Sequence, residues 1–145
     1  MKIVEVFSEN ARIMGFEWLA LAERVHRQLR PYLPEDYAGK MTRVLAEARM
    51  ALAVEKDMVV GLAIYRWHEN TCDGLKVYID DLIVDDACRS QGVGRTLIAH
   101  IETVARKLGA NCLILDSGTH RTQAHKFYFR EDFVITSFNF KKSLS

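Results

Sequence analysis

The stretch Val77-Tyr78-Ile79-Asp80-Asp81-Leu82-Ile83-Val84, followed by Asp85-Asp86-Ala87-Cys88 and then Arg89-Ser90-Gln91-Gly92-Val93-Gly94, decides the fold. Its first eight residues are β-branched and apolar apart from the acidic pair, which predicts a strand. From about Arg95 to Leu108 the apolar residues Leu97, Ile98, Ile101, Val104 and Leu108 recur at helical spacing. Gly109 supplies the usual stop just past such a helix. Between strand and helix lie two glycines. They let the backbone approach a ligand and adopt conformations closed to other residues. The first amides of the helix have no intrahelical partners, and its start carries partial positive charge. A strand, a glycine turn and a helix therefore make a site suited to a phosphate or pyrophosphate. Arg89 and Arg95 bracket the turn with charge.

The two commonest nucleotide signatures fail on residues. A Walker A loop needs GxxxxGK[ST], and here Arg95 follows Gly94 while Arg89 stands where the first glycine belongs. A dinucleotide fingerprint needs a third glycine, and that place is Leu97.

Outward from this stretch, the C-terminal side reads as a short buried-type strand at Cys112–Leu115, a helix from about Thr122 to Arg130 and a last strand from Phe133 to Phe140. On the N-terminal side, Ala51–Glu55 and Val59–Trp67 form a hairpin around Lys56-Asp57, and Asn70–Gly74 is a polar turn into the acidic strand. Ile3–Phe7 is a first strand. Gly15–Leu29 is an amphipathic helix stopped by Pro31, and a second helix begins near Pro34, with Glu35 and Asp36 in its first turn. The predicted order is strand, two helices, three strands, helix, strand, helix, strand. No Ser/Gly-rich linker or repeat divides the 145 residues, so residues 1–145 are expected to form one domain.

Taken together with these elements, the glycine turn resembles a known family. Arg89-Ser90-Gln91-Gly92-Val93-Gly94 is similar to the [RQ]-x-x-G-x-[GA] acetyl-coenzyme A signature of the GNAT superfamily of N-acetyltransferases. Leu82-Ile83-Val84-Asp85 resembles the end of that family's fourth strand, and Ala124-His125-Lys126-Phe127-Tyr128 its A-x-x-F-Y segment. Two positions depart from the pattern. Arg121 stands where the family has Asn, and Asp132-Phe133 replaces Gly-Phe.

The resemblance implies an α+β fold in α/β/α layers. Its mixed, mostly antiparallel sheet would be flanked by about four helices, with the fourth and fifth strands splayed apart. It implies acetyl-coenzyme A as co-substrate. The pyrophosphate would be held by backbone amides within Gln91, Gly92, Val93, Gly94, Arg95 and Thr96, with Arg89, Ser90 and Arg121 nearby. The pantetheine arm would run along the edge formed by Leu82, Ile83 and Val84, satisfying amides that the splay leaves unpaired. Tyr128 is then the candidate acid for the departing thiolate, although Phe127, Phe129 and Phe133 around it also fit a plain core aromatic.

Acetyl transfer to an amine needs a neutral nucleophile, and a lysine-like amine has a pKa near 10.4, so a carboxylate that takes its proton is useful. Asp80 and Asp81 lie in the strand leading to the thioester. In a regular strand only one of them faces the cleft, unless a bulge intervenes. Tyr78-Ile79-Asp80-Asp81-Leu82 resembles the acidic-pair segment of diamine-acetylating members. Asp80 is the preferred base, with Asp81 close behind; the competing reading is a pair of solvated or capping acids. Trp18, Tyr32, Tyr37, Trp67 and His68 are candidate acceptor-lining residues. Tyr37 and Trp67 could hold a cationic amine over their rings, and His120 could approach it; each of the two aromatics fits the core as well.

Function classes can also be excluded. Twenty Lys+Arg against nineteen Asp+Glu give a net charge of +1, without the basic excess of a nucleic-acid binder. No apolar run approaches the ~20 residues that cross a bilayer, and the start Met1–Val6 lacks a signal-peptide core; a cytoplasmic location is the expectation. Cys72, Cys88 and Cys112 are an odd number without CxxC spacing, hence free thiols. His120 and His125 are five apart, so no metal is expected. The function expected is acetyl transfer from acetyl-coenzyme A to a primary amine, most simply that of a polyamine or amino-acid derivative. The alternatives are a non-catalytic acyl-coenzyme A sensing module and an enzyme acting on protein N-termini or lysines. Exposed strand edges of such a sheet often pair copies as a homodimer.

Overall fold

The computed structural model describes residues 1–145. The chain runs β1 (Lys2–Glu9), β2 (Arg12–Met14), α1 (Leu19–Leu29), α2 (Tyr37–Val44), β3 (Arg49–Glu55), β4 (Met58–Asn70), β5 (Gly74–Val84), α3 (Val93–Leu108), β6 (Cys112–Leu115) and α4 (Thr122–Arg130). Single turns of 3₁₀ helix precede α1 and α3. The six strands form one sheet in the order β2-β1-β3-β4-β5-β6. The pairs β1–β2, β1–β3, β3–β4 and β4–β5 are antiparallel. β6 reaches the sheet through the α3 crossover, and its lead-in Asn111 N–H donates to the Leu75 carbonyl, so β5 and β6 start side by side. This is the mixed, mostly antiparallel sheet with four helices that the family resemblance implies.

The chain forms two compact units, Met1–Ile114 and Leu115–Ser145. In the first, the alternation along β3 and β4 divides the side chains between the two faces of the sheet. Met50, Leu52, Val54, Leu62 and Ile64 pack with Leu19, Ala22 and Val25 of α1 and Tyr37 and Met41 of α2 into the main core. Ala51, Ala53, Gly61 and Ala63 face the other way, and α3 buries Val93, Leu97, Ile98 and Ile101. The small residues are there for closeness. A Cβ on Gly61 would meet the Val93 Cγ1 at 2.7 Å and the Ile83 carbonyl at 3.1 Å, so the first turn of α3 sits almost on the backbone of β4.

Several elements differ from the sequence expectation. α2 begins at Tyr37 rather than near Pro34, because Asp36 is its cap: Gly39 N–H donates to Asp36 Oδ1 at 2.9 Å. α1 begins at Leu19, after the 3₁₀ turn Phe16–Trp18, and α3 already at Val93. β2 was not foreseen; the turn that makes it puts Asn10 and Ala11 at φ 51° and 61°, and alanine is an unusual occupant of that region. The strand expected over Phe133–Phe140 does not form: residues 133–145 contain no helix or strand. Alternating apolar residues give a strand propensity, and pairing and packing decide whether the strand forms. No helix is long and apolar enough to cross a membrane.

Candidate active site

The strand–turn–helix segment is built around Asp85. Its backbone N–H continues the sheet by donating to the Val60 carbonyl at 2.8 Å. Its buried carboxylate accepts from Arg24 Nη2 at 2.7 Å, from Gln28 Nε2 at 3.2 Å and from its own Ala87 N–H at 3.2 Å. Gln28 closes the bracket, since its Oε1 accepts from the Asp86 N–H at 2.9 Å. The hydrogen bond from Arg24 is the main reason that the Asp85 carboxyl is held down to about 2. Arg24 and Gln28 lie one turn apart on α1, so this helix bolts down the root of the glycine turn.

Beyond the bolt the backbone takes unusual conformations. Ser90 has φ 63° and Gly92 φ 81°. Gly92 is the cap residue of α3 and no side chain caps the helix. A Cβ placed on Gly92 would meet nothing within 4 Å, so the space above the turn is open. Thr96 differs from the residues before it: both its N–H and its hydroxyl donate to the Gly92 carbonyl, each at 3.0 Å. Its amide, expected among the phosphate donors, is spent within the helix. Arg89 pairs with Asp86 at 2.6 Å.

β6 has four residues and β5 eleven. With their starts side by side, β6 runs out at about Asp80 (a rise of roughly 3.3 Å per residue on both strands). The edge of β5 beyond it, at Leu82, Ile83 and Val84, has no strand beside it, while its other edge pairs with Ala63, Leu62 and Gly61.

The acidic pair sits where the strand is irregular. Ile64 pairs with Asp81 and Tyr65 with Ile79, leaving Asp80 as the extra residue of a bulge. Both carboxylates consequently reach groups on the α1–α2 face. Asp81 Oδ2 meets His26 Nε2 at 2.7 Å, and Asp81 Oδ1 accepts from Arg30 Nη2 at 2.7 Å and Nε at 3.0 Å. Burial pushes the Asp81 carboxyl up, but the bonds from His26 and Arg30 outweigh it, and the group ends below the ordinary range. Asp80 Oδ2 accepts from Arg66 Nε at 2.7 Å. Asp80 is 31% exposed and Asp81 13%. His26 is fully buried and joined through Nδ1 to the Tyr37 hydroxyl at 2.8 Å. α1 and its C-cap residue Arg30 thus hold the segment at two points through two i,i+4 pairs: His26 and Arg30 grip Asp81 in β5, and Arg24 and Gln28 grip Asp85 just past its end.

Of the aromatic acceptor candidates, Tyr37 is buried against His26 with the Arg27 guanidinium 5.9 Å from its ring centre, and Trp67 already carries Arg49 at 5.6 Å. Tyr32 and His68 are exposed. Sequence reasoning missed Arg24, His26, Gln28, Arg30 and Arg66. Part of the signal was present: carboxylates in an apolar strand demand cations, and Arg24 in α1, Arg30 at its C-cap and Arg66 in β4 supply them.

In the second unit, Tyr128 is buried in α4, with the rings of Phe127 and Phe133 edge-on at 5.6 and 5.8 Å. Burial raises its phenol pKa, and Arg121 at the head of α4 works against that rise through its charge and a hydrogen bond. The phenol is therefore protonated at neutral pH. His125 Nε2 is 2.8 Å from the Gly118 carbonyl and ties the helix to the preceding loop, in which His120 is exposed. No cluster of His, Cys, Asp and Glu could hold a metal.

Comparison with known proteins agrees with this architecture. Residues 12–133 match the acetyltransferase (GNAT) family. An uncharacterized N-acetyltransferase, YhdJ, of Bacillus subtilis is 32% identical over 109 residues, 65% of this chain and 75% of the relative. An aminoalkylphosphonate N-acetyltransferase of Salmonella typhimurium is 38% identical over 66 residues, which span 46% of this chain and 43% of that protein. Among solved structures, the aminoglycoside N-acetyltransferase AAC(6')-Iy in complex with coenzyme A superposes with a TM-score of 0.82 at 20% identity, covering 99% of this chain and 95% of the other. The aminoglycoside acetyltransferase meta-AAC0020, from an uncultured soil metagenomic sample and in complex with sisomicin, gives 0.80 at 16% identity over 99% and 96%. The chain belongs to the acetyltransferase (GNAT) family and is an acetyl-coenzyme A-dependent N-acetyltransferase.

Proposed function

We propose that the acceptor is the primary amine of a small molecule, acetylated by direct attack on the thioester in a ternary complex. The observation that carries this reading is the open turn. Gly92 leaves clear space above the uncapped start of α3, on the same segment as a β5 edge without a neighbour at Leu82, Ile83 and Val84. The diphosphate of acetyl-coenzyme A would take the amides at Gln91–Arg95, with Ser90 in the turn and Arg89 exchanging Asp86 for a phosphate oxygen. The pantetheine amides would bond to the edge of β5 beyond the end of β6. Arg121, at the head of α4, is the further cation proposed for the cofactor.

Asp80 is the residue proposed to receive the amine's proton, directly or through water. It is the more exposed carboxylate, and Arg66 occupies one of its oxygens. Asp81, with both oxygens bonded and its carboxyl held in the anionic form, suits the role of fixing the bulge. Tyr128, protonated at neutral pH, is proposed as donor to the coenzyme A thiolate. The relatives named for aminoalkylphosphonates and aminoglycosides act on small amines, which supports the acceptor class.

Calorimetry tests the first half of this reading. Coenzyme A and acetyl-coenzyme A should bind and ATP should not. Gly92→Val, which fills the open space and is strained at positive φ, should weaken acetyl-coenzyme A at least tenfold. A preference for ATP, or unchanged affinity in the Gly92 variant, overturns the assignment of the turn. A panel of small amines assayed by free-thiol release tests the second half; turnover only with peptides would move the acceptor to proteins.

A further inference from the structure

Apart from tyrosines, the buried polar residues are Asp85 and His26. Asp85 anchors the glycine turn, whereas His26 has no part in the chemistry described so far. It lies in α1 with the buried Leu19, Ala22 and Val25, where an apolar residue would avoid the cost of burying an imidazole. Both of its ring nitrogens are nevertheless partnered. Nε2 is 2.7 Å from Asp81 Oδ2, and Nδ1 is 2.8 Å from the hydroxyl of Tyr37, whose ring stands edge-on at 5.7 Å. Asp81, held anionic, can only accept, so Nε2 carries a hydrogen and donates to it. Burial pushes the Tyr37 phenol up, so its O–H is intact and is the donor to Nδ1.

The bonds Tyr37–His26–Asp81 end on the bulge of β5. Arg30, one turn beyond His26, completes the grip. Its Nη2 donates to Asp81 Oδ1 at 2.7 Å and to the carbonyl of Asp80, the extra residue of the bulge, at 3.3 Å. The backbone of both acids is therefore held from α1 and its C-cap, while the Asp80 carboxylate meets Arg66 Nε at 2.7 Å. A bulge breaks the regular ladder and re-aims a side chain, so the direction of the Asp80 carboxylate depends on how firmly the bulge is held. Of the two side chains that grip Asp81, Arg30 is 51% exposed and His26 only 2%, which makes His26 the fixed one.

We propose that His26 is a positioning residue for acetyl transfer: bridging Tyr37 and Asp81, it locks the β5 bulge and so aims the Asp80 carboxylate at the amine. This inference rests on the reading of Asp80 as the proton acceptor. A misplaced base is costly, since an error of about 1 Å can lower a rate about 10²-fold. The role needs a donor at the place of Nε2 rather than an imidazole as such. Gln carries its amide nitrogen about as far from the backbone as Nε2, whereas Asn ends near the place of Nδ1 and falls short of Asp81.

Thiol release from acetyl-coenzyme A, with ethanolamine, putrescine and lysine as amine probes, tests this on variants that unfold cooperatively. His26→Asn should lower kcat about tenfold or more, with the KM for acetyl-coenzyme A within about twofold of the parent, and His26→Gln should restore most of the rate. Tyr37→Phe, which frees the imidazole ring without touching Asp81, should lower kcat in the same direction, and it carries the test if His26→Asn does not fold. In an Asp80→Asn background neither substitution should lower kcat further, because the group they aim is gone. Equal kcat in His26→Asn and His26→Gln, or losses that multiply with that of Asp80→Asn, overturns the positioning role and leaves Asp80 as the base. Asp80→Asn at the parent's rate removes instead the reading on which the proposal rests.

Discussion

Asp80 and Asp81 are neighbours, yet their surroundings give them different work. Replacing Asp81 with Asn removes the anion that His26 and Arg30 share. Loss of a partly buried, charge-assisted network costs about 2–3 kcal/mol, and ~1 kcal/mol shifts Tm by about 3–4 °C at this chain length. Asp81→Asn should therefore lower Tm by several degrees. Asp80→Asn loses one bond from a half-exposed arginine and should leave Tm within a degree or two, while kcat falls about 10²-fold or more if Asp80 takes the amine's proton. Thermal melts and steady-state rates on the two variants check the division. A rate loss confined to Asp81→Asn would exchange the roles. The sequence made the pair conspicuous, but whether both acids could reach one side depended on the bulge. That bulge comes from a register slip between Ile64 and Tyr65, and nothing in the residue types marks it.

Asp85 gives a second residue-scale test. Its carboxyl is held at about 2 against 3.8 unperturbed, chiefly by the bond from Arg24. A depressed native pKa means that the contribution is complete above the unfolded value and is lost as pH falls from 3.8 toward 2. Urea midpoints should drop over that interval, and Asp85→Asn, less stable at pH 7, should show a shallower drop. An equal acid slope in both proteins would mean that Asp85 is not the titrating group.

At the scale of elements, α1 is the surprise. Its apolar positions were legible from spacing. Its other function, clamping Asp81 and Asp85 through two i,i+4 pairs that include its C-cap Arg30, was not, because the partners are more than fifty residues away. Long-range pairing leaves no periodicity to read. The same holds for residues 133–140: their alternation is legible in the sequence, and the structure forms no strand there. α3 shows the opposite case, where local signals and packing agree. Its glycine turn, apolar face and Gly109 stop were all visible, and the structure adds only the closeness to β4. Gly61→Ala tests that closeness. The added methyl must displace the Val93 Cγ1 and press on the Ile83 carbonyl, at a cost of about 1–3 kcal/mol. Urea unfolding should show that loss with an unchanged m value. Because α3 starts at Val93, acetyl-coenzyme A affinity should weaken in the same variant. A Gly61→Ala protein as stable as the parent would mean that α3 rides further from the sheet.

For the whole molecule, ligand binding and stability are one measurement. A ligand that binds only the folded chain adds RT ln(1 + [L]/Kd), about 2.7 kcal/mol at a hundredfold excess over Kd. At this length that is a rise in Tm of roughly 8–10 °C. Coenzyme A should produce it, and Gly92→Val should abolish it at the same ligand concentration while unfolding cooperatively on its own. Hydrogen exchange should then locate the effect. Amides at Leu82–Val84 and Gln91–Arg95 should gain protection, because they are the groups proposed to meet the cofactor, whereas β3, bonded on both edges to β1 and β4, should change little. Protection that appeared first in β3, or an undiminished thermal shift in the Gly92 variant, would place the cofactor away from the turn. The amine acceptor's carboxylate would then have to be sought elsewhere, since Asp80 is only a few residues of strand from Leu82.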